Sequence, residues 1–227
     1  MCSSDLQINL LGMLMSSFLS NLPGFIATAF LLAMVPGQGV AMILRQTIVG
    51  GTRAAVFSVI GNSTGLVLWG LLSSLGLSAL FATSATAYNF LKWSGVAFLG
   101  FLSLQTLYQL KNESGKFEIN GKSFSSSKSA YRLGIITNLT NVKAAVFAVA
   151  FVPAFVPKDF NLGWGIFILG WVWAVTSMSW YLILIAAVDR ASVLLEKPKV
   201  RRLLTGISAA GILVLAIGLA LSHQNPS

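Results

Sequence analysis

Residues 54–80 read AAVFSVIGNSTGLVLWGLLSSLGLSAL, a run without a single Asp, Glu, Lys or Arg. A helix needs about 20 consecutive apolar residues to cross the ~30 Å hydrocarbon layer of a bilayer. Strands of membrane barrels are only ~10 residues long and alternate apolar with polar side chains, which this run does not. Because lipid offers no hydrogen bonds to the backbone, the run is predicted to be a transmembrane helix.

Comparable apolar stretches recur along the chain. The other predicted spans are 24–44, 91–110, 133–156, 162–187 and 203–222. Hydrophobic residues make up 56% of the chain and charged residues only 9%, against about 25% charged residues in soluble domains. The sequence therefore predicts an all-α membrane protein with six transmembrane helices, whose loops are too short to hold a soluble catalytic domain.

The placement of the basic residues explains the formal net charge of +9. Twelve of the 15 fall in the first, third and fifth loops: Arg45, Arg53, Lys111, Lys116, Lys122, Lys128, Arg132, Arg190, Lys197, Lys199, Arg201 and Arg202. Lys92 and Lys158 lie on the opposite face, and Lys143 falls within a span. The positive-inside rule then places these three loops in the cytoplasm and both termini outside. Because topology accounts for the charge, nucleic acid is not predicted as a partner.

The predicted spans divide into two halves. Residues 24–110 hold the first three spans and residues 132–222 the last three, joined by a Ser-rich, charged cytoplasmic linker at residues 111–131. Because each half has an odd number of spans, the halves enter the membrane in opposite directions, as in inverted-repeat transporters with a solute site near the midplane. Residues 1–23 are interpreted as an N-terminal lead-in, whose opening MCSSDL is either native or an added segment, and residues 223–227 as a tail.

A helix break is predicted in the first span, where residues 33–39 read AMVPGQG. Proline removes a backbone donor and glycine adds backbone freedom, so the helix is expected to break there. Transporters use the free backbone groups of broken helices to bind solutes, whereas a packing kink is the alternative explanation. Pro36, Gly37, Gln38 and Gly39 are therefore candidate substrate-binding residues.

A polar run, TNLTNVK at residues 137–143, occupies the corresponding place in the second half. Ionisable residues inside a membrane are costly and usually face the interior of the helix bundle. Asn138, Asn141 and Lys143 are therefore candidate substrate-binding residues, with the Lys143 ammonium as counter-ion to a solute carboxylate. The alternative is that Lys143 extends to the cytoplasmic interface and only marks topology.

A third polar segment, GNSTG at residues 61–65, lies in the second span. Its two glycines are spaced as small residues that let membrane helices approach closely. Packing alone explains the pattern. Asn62 is a further candidate substrate-binding residue, which would line the solute site.

Cysteine and histidine occur once each, as Cys2 and His223. The chain therefore has neither a disulfide framework nor the ligand set of a zinc or haem site, and no cofactor is predicted. An embedded enzyme, such as a lipid-modifying transferase, would need an acid, a base or a nucleophile that the spans do not carry. The chain is predicted not to be an enzyme.

Three blocks of the sequence together resemble the LysE/RhtB family of amino-acid exporters. They are PGQGVAMILRQTIVGGTRAAVFSVIGNSTGLVLWGLLSSLGLSAL (36–80), FLKWSGVAFLGFLSLQTL (90–107) and YRLGIITNLTNVKAAVFAVAFVPAFV (131–156). The resemblance covers roughly residues 24–222. It implies six spans in the bacterial inner membrane and export of basic amino acids, homoserine, threonine, leucine or related metabolites, driven by the proton gradient.

The resemblance also relates the two polar runs to family motifs. The Pro-Gly-Pro motif of the family corresponds to Pro36-Gly37-Gln38, and its Asn-Pro-Lys motif corresponds to Asn141-Val142-Lys143. Gly39 stands where many members have Asp or Asn. No Asp or Glu lies inside any predicted span, so protons as the coupling ion rest on the resemblance alone.

The function predicted from these observations is export of amino acids or related small polar metabolites. The partners expected are that solute, the lipid bilayer and protons, and the sequence leaves a homo-oligomer open. A non-transporting membrane partner or a degenerate transporter is the main alternative.

Overall fold

A computed structural model describes residues 3–35, 37–83, 85–112, 125–195 and 198–221. The helices are α1 (Ser3–Met34), α2 (Gln38–Arg45), α3 (Gly51–Thr83), α4 (Ala85–Asn112), α5 (Ser127–Leu139), α6 (Val142–Val146), α7 (Leu162–Leu195) and α8 (Pro198–Leu221). Two π-helical turns, Gln46–Gly50 and Phe147–Phe151, and a 3₁₀ turn, Val152–Phe155, complete the regular structure. No strand occurs in these ranges, which confirms the all-α prediction.

Several helices are long and apolar enough to cross a membrane. Within the described ranges they are Met15–Met34, Gln38–Leu77 and Leu162–Val188, and the pair Ser127–Leu139 and Val142–Phe155 adds a fourth if this pair, bent by 57°, is one broken span. Residues 91–110 lie within α4 and residues 203–221 within α8, so both stretches are helical as expected. Neither helix is among these candidate spans in the described part of the chain, and the apolar part of α8 is the shorter stretch Ala209–Gly218. The chain is a multi-pass helical membrane protein.

The first helix includes most of the residues predicted as an N-terminal lead-in. Helix α1 is continuous from Ser3 to Met34 and passes through residue 23, where that lead-in was predicted to end. The Ser16 and Ser20 hydroxyls donate to backbone carbonyls three residues earlier in the same helix, whereas the Asn21 amide donates to the Phe155 carbonyl. Serine that bonds to its own helix can lie in an apolar setting without an unpaired donor.

The centre of the bundle is α3, which packs against α5 on one side and α7 on the other. Gly61 and Gly134 lie where α3 crosses α5, and a side chain on either would collide with the backbone of the other helix. Gly70 and Gly170 allow the same close contact between α3 and α7, since a Cβ on either would lie 2.9 Å from the Cα of the other. The prediction of close helix contact at the GNSTG segment is therefore confirmed.

The contacts between helices show in which direction α5 and α7 run relative to α3. Later residues of α3 contact later residues of α5: the Ser58 hydroxyl donates to the Ala130 carbonyl, and Gly65 lies against Asn138. Later residues of α3 contact earlier residues of α7: Gly70 lies against Gly170, and the Ser74 hydroxyl donates to the Gly163 carbonyl. Helices α3 and α5 are thus parallel, and α7 is antiparallel to both.

A cluster of aromatic rings joins α1 to the segment that follows α6. Phe25 is fully buried and contacts the rings of Phe147 and Phe155, at centroid distances of 6.1 and 5.3 Å. Phe147 in turn lies 4.8 Å from the ring of Trp173 on α7. Burial of such large apolar side chains fixes α1, the α6 segment and α7 relative to one another.

One order of elements occurs twice along the chain. A helix breaks, continues as a short helix and then passes through a π-helical turn of five residues, first in α1, α2 and Gln46–Gly50 and again in α5, α6 and Phe147–Phe151. The π turn Gln46–Gly50 is followed by Gly51, whose φ of 82° is readily adopted only by glycine.

The predicted linker, residues 111–131, overlaps the helices on either side of it. Helix α4 continues to Asn112 and α5 starts at Ser127, so both ends of residues 111–131 are helical. Residues 113–124 lie outside the described ranges.

Candidate functional site

The two helix breaks meet through the side chain of Lys143. Its ammonium donates hydrogen bonds to the carbonyl oxygens of Leu32, at 3.1 Å, and Val35, at 3.3 Å, in and just after the last turn of α1. Carbonyls at the end of a helix lack partners within it and carry the negative end of the helix dipole. The ammonium therefore satisfies acceptors that the break in α1 leaves free.

Asn141 positions Lys143 at the start of α6. Its side-chain oxygen accepts a hydrogen bond from the backbone N–H of Lys143, at 3.1 Å, and so caps the helix. Short polar side chains are preferred at this position because they satisfy a free backbone donor. The break between α5 and α6 thus ends in a cap that fixes the direction in which Lys143 leaves the backbone.

The break between α1 and α2 lies opposite the Lys143 ammonium. Gly37 has an extended backbone between α1 and α2, and a methyl group on it would be 3.7 Å from the Lys143 ammonium. Gln38 begins α2 with an exposed side chain, which no hydrogen bond joins to the other candidates in the described ranges. Pro36 lies outside those ranges. The predicted helix break itself is confirmed, because α1 ends at Met34 and α2 starts at Gln38.

Asn62 and Asn138 are joined directly across the interface between α3 and α5. The Asn138 amide donates to the Asn62 side-chain oxygen at 3.2 Å, and each residue is 2% exposed. Gly65 leaves the room in which the Asn138 side chain lies. The side-chain oxygen of Asn138 has no hydrogen-bond partner among the described residues.

Tyr181 on α7 lies with Asn62 beside Gly39, and the sequence alone did not identify it as a candidate. Its hydroxyl lies 2.6 Å from the point that a Cβ on Gly39 would occupy, and the Asn62 oxygen lies 4.0 Å from that same point. Tyr181 is 6% exposed, and its hydroxyl has no hydrogen-bond partner in the described part of the chain. One feature of the sequence could have identified Tyr181 as a candidate. It is a tyrosine inside an uncharged span, away from the membrane interfaces where this residue is usually found.

The candidates therefore form two adjoining groups. Gly37, Asn141 and Lys143 make up the cationic group, and Gly39, Asn62, Asn138 and Tyr181 make up the amide group. They are linked through the end of α5, where the Asn141 N–H donates to the Asn138 carbonyl at 3.0 Å.

These groups offer one positive charge and several neutral donors and acceptors, a set of groups that is able to bind a small polar molecule with a carboxylate. No group of His, Cys, Asp and Glu in the described ranges is arranged to hold a metal ion.

The sequence is similar to a known family of membrane proteins. Residues 30–223 match the family model described as LysE type translocator. The chain is 24% identical over 205 residues to an uncharacterized membrane protein, YrhP, of Bacillus subtilis, a match that covers 88% of this chain and 97% of that protein.

Two further relatives match a shorter segment. The homoserine/homoserine lactone efflux protein of Salmonella typhimurium is 33% identical over 133 residues, which cover 58% of this chain and 63% of that protein. An uncharacterized membrane protein of Vibrio cholerae is 32% identical over 133 residues, with the same coverage. These two matches thus span less than two thirds of each relative's length. No solved structure matches the chain.

Proposed function

Because the chain belongs to the LysE type translocator family, we propose that it exports amino acids or related small polar metabolites across the bacterial inner membrane. The family consists of transporters, so the chain is a membrane transporter and not an enzyme. The relative named for efflux of homoserine and its lactone suggests solutes of that size and polarity.

The observation that carries this proposal is the position of the Lys143 ammonium between the two helix breaks. An ammonium has three donors, and two of them bond to the Leu32 and Val35 carbonyls. The third has no partner among the described residues. A solute carboxylate at this third position would form a charge-assisted hydrogen bond, worth about 1.5–3 kcal/mol.

The transport path is proposed to run between two inverted halves of three spans each. The repeated order of helix, break, short helix and π turn supports this arrangement, and so do the directions of α3, α5 and α7. In such transporters the solute site lies between the halves, near the midplane. The positive-inside rule favours cytoplasmic first, third and fifth loops and external termini.

Protons are proposed as the coupling ion on the ground of family resemblance. Residues 6–112, 119–158 and 160–188 contain no Asp or Glu. A relay of intramembrane carboxylates, common in proton-driven transporters, is therefore not available in this chain. The sequence left a homo-oligomer open, and the oligomeric state of the protein stays untested.

Metabolite profiling tests the function. Cells with and without this protein are grown side by side, and the medium and the cell contents are compared. The proposal expects a small carboxylate-bearing metabolite to rise in the medium and to fall inside the cells. If no metabolite differs while the protein is present in the membrane, the chain is a non-transporting partner or a degenerate transporter.

A further inference from the structure

We propose that Arg53, Lys128 and Arg132 form a binding site for the phosphate of an anionic phospholipid, on one flank of the pair of helices α3 and α5. The site lies at the end of the pair where both helices begin, which the positive-inside rule predicts to face the cytoplasm. It is separate from the candidate solute site, and it does not depend on the proposed export function.

These three residues are the only charged residues on the two helices. Helix α3 contains Arg53 and no other Asp, Glu, Lys or Arg, and α5 contains only Lys128 and Arg132. All three side chains are exposed, and none has a hydrogen bond or an ion pair with another described residue. This end of the pair therefore carries three positive charges that neither helix neutralises.

The three residues lie at similar depth because α3 and α5 are parallel. The Ser58 hydroxyl of α3 donates to the Ala130 carbonyl of α5, which relates the two helices along their length. An α-helix rises 1.5 Å per residue, so Arg53 lies about 7.5 Å before that contact, Lys128 about 3 Å before it and Arg132 about 3 Å beyond it. Side chains as long as those of arginine and lysine can meet at one phosphate across such a layer.

A hydrogen bond between the helices shows that the three side chains share one flank. Tyr131 on α5 donates to the Thr64 hydroxyl on α3 at 3.2 Å. Arg53 precedes Thr64 by 11 residues, which is close to three full turns, so both lie on the same face of α3. Lys128 is three residues before Tyr131 and four before Arg132, spacings that place residues side by side on a helix. A topology signal requires positive charge at this end of the helices, but not on one flank of them.

Apolar side chains continue the same flank towards the middle of the membrane. Ile60 follows Arg53 by seven residues on α3, and Leu139 follows Arg132 by seven residues on α5. Seven residues are about two turns, or ~10 Å along the helix, and both apolar side chains are exposed. A phospholipid has the same order of groups, because its phosphate lies at the membrane surface and its acyl chains extend inwards.

The charge of the flank favours an anionic lipid over a zwitterionic one. Guanidinium and ammonium groups form charge-assisted hydrogen bonds to phosphate oxygens, and basic pockets between membrane helices bind anionic head groups. Phosphatidylglycerol offers one negative charge. Phosphatidylcholine has the same phosphate but adds a quaternary ammonium, which the three basic side chains repel.

Native mass spectrometry of the purified full-length protein tests the site. The protein is released from detergent that contains equal amounts of phosphatidylglycerol and phosphatidylcholine with the same acyl chains, and the bound lipids are identified by mass. The wild-type protein should retain phosphatidylglycerol at least about tenfold more often than phosphatidylcholine, because each basic residue near the membrane surface contributes to the attraction.

Glutamine substitutions remove the charges and keep polar side chains of similar shape. Arg53→Gln or Arg132→Gln alone should lower the preference for phosphatidylglycerol by about fivefold. The triple variant with Lys128→Gln as well should retain the two lipids equally. Because the three side chains have no partner among the described residues, these variants should fold.

The matched control removes three positive charges from another part of the same predicted membrane face, at the start of α8. It combines Lys199→Gln, Arg201→Gln and Arg202→Gln. The preference for phosphatidylglycerol should be as in the wild type, since these residues do not belong to α3 or α5.

Three results would each overturn the proposal. The first is an unchanged preference in the triple variant on α3 and α5. The second is an equal loss in the control variant, which would mean that the lipid responds only to the total charge of this face. The third is displacement of the bound lipid by an equal concentration of glycerol 3-phosphate, which has the phosphate but no acyl chains and would identify a site for free phosphate.

Discussion

The ammonium of Lys143 lies 3.1 Å from the carbonyl oxygen of Leu32, and this hydrogen bond connects two residues that are 111 positions apart in the chain. It joins the start of α6 to the last turn of α1. Lys143 therefore has a structural role as a cap for the broken α1, whether or not it also binds a solute. The experiments on this residue must distinguish the two roles.

Replacement of Lys143 by methionine should lower homoserine export by about tenfold or more per membrane-inserted molecule, which corresponds to a loss of ~1.4 kcal/mol. Export of homoserine lactone should fall much less, because the lactone has no free carboxylate to bond to the ammonium. Efflux from preloaded cells measures both rates. Lys143→Arg should retain more homoserine export than Lys143→Met, since a guanidinium also donates and keeps the charge.

A purely structural lysine would give a different pattern. Loss of the cap on the Leu32 and Val35 carbonyls would then lower export of homoserine and of its lactone in the same proportion. Equal losses would leave Lys143 as a cap for α1 and remove it from the proposed carboxylate site.

The double substitution Pro36→Ala with Gly37→Ala should reduce export far more than it reduces the amount of inserted protein. A methyl group on Gly37 meets only ordinary contacts, at 3.7 Å from the Lys143 ammonium and 3.9 Å from the Val35 carbonyl, so the fold should accept it. Alanine favours helix over both residues that it replaces, so it should restore the hydrogen bonds that the break leaves free. Efflux normalised to membrane protein measures the effect, and an unchanged rate would mean that the break serves packing only.

The contact between α3 and α5 predicts a strong effect of Gly61→Ala. Its Cβ would lie 2.9 Å from the carbonyl carbon of Tyr131 and closer still to its oxygen, and backbone atoms cannot move aside as a flexible side chain can. Forcing apart a packed interface typically costs about 1–3 kcal/mol. The thermal stability of the detergent-solubilised protein should fall.

Gly76→Ala is the control for this substitution. Gly76 lies on the same helix, and nothing lies within 4 Å of the place of its Cβ. The stability of this variant should be unchanged or slightly raised, since alanine is the better helix former. Similar losses in both variants would mean that α3 and α5 do not cross at Gly61.

Topology is open to a direct measurement. Fusions of a fluorescent protein that matures only in the cytoplasm should be bright at Ser126, just before α5, and dark at the C-terminus. Fusions of a phosphatase that is active only outside should give the opposite result. A cytoplasmic signal at the C-terminus would contradict the orientation derived from the basic loops.

Much of the fold follows from the sequence because hydropathy acts locally. Each apolar stretch must form its own backbone hydrogen bonds in lipid, whatever lies beside it, and this predicted the helices without any knowledge of their packing. The break near Gly37 and the close approach at Gly61 were also predictable, since both follow from the lack of a backbone donor or a side chain at particular positions.

The partners of the polar side chains were decided only by the tertiary structure. Lys143 was expected either to bind a carboxylate or to extend to the interface, and its hydrogen bonds to the end of α1 were not anticipated. Tyr181 was not identified as a neighbour of Asn62, because neither residue carries a local pattern that points to the other. Such pairings depend on how α1, α3, α5 and α7 pack, which is set by contacts of aromatic rings and glycines spread over the chain. A sequence read segment by segment contains the side chains of a site, but their mutual positions arise only when those helices are packed together.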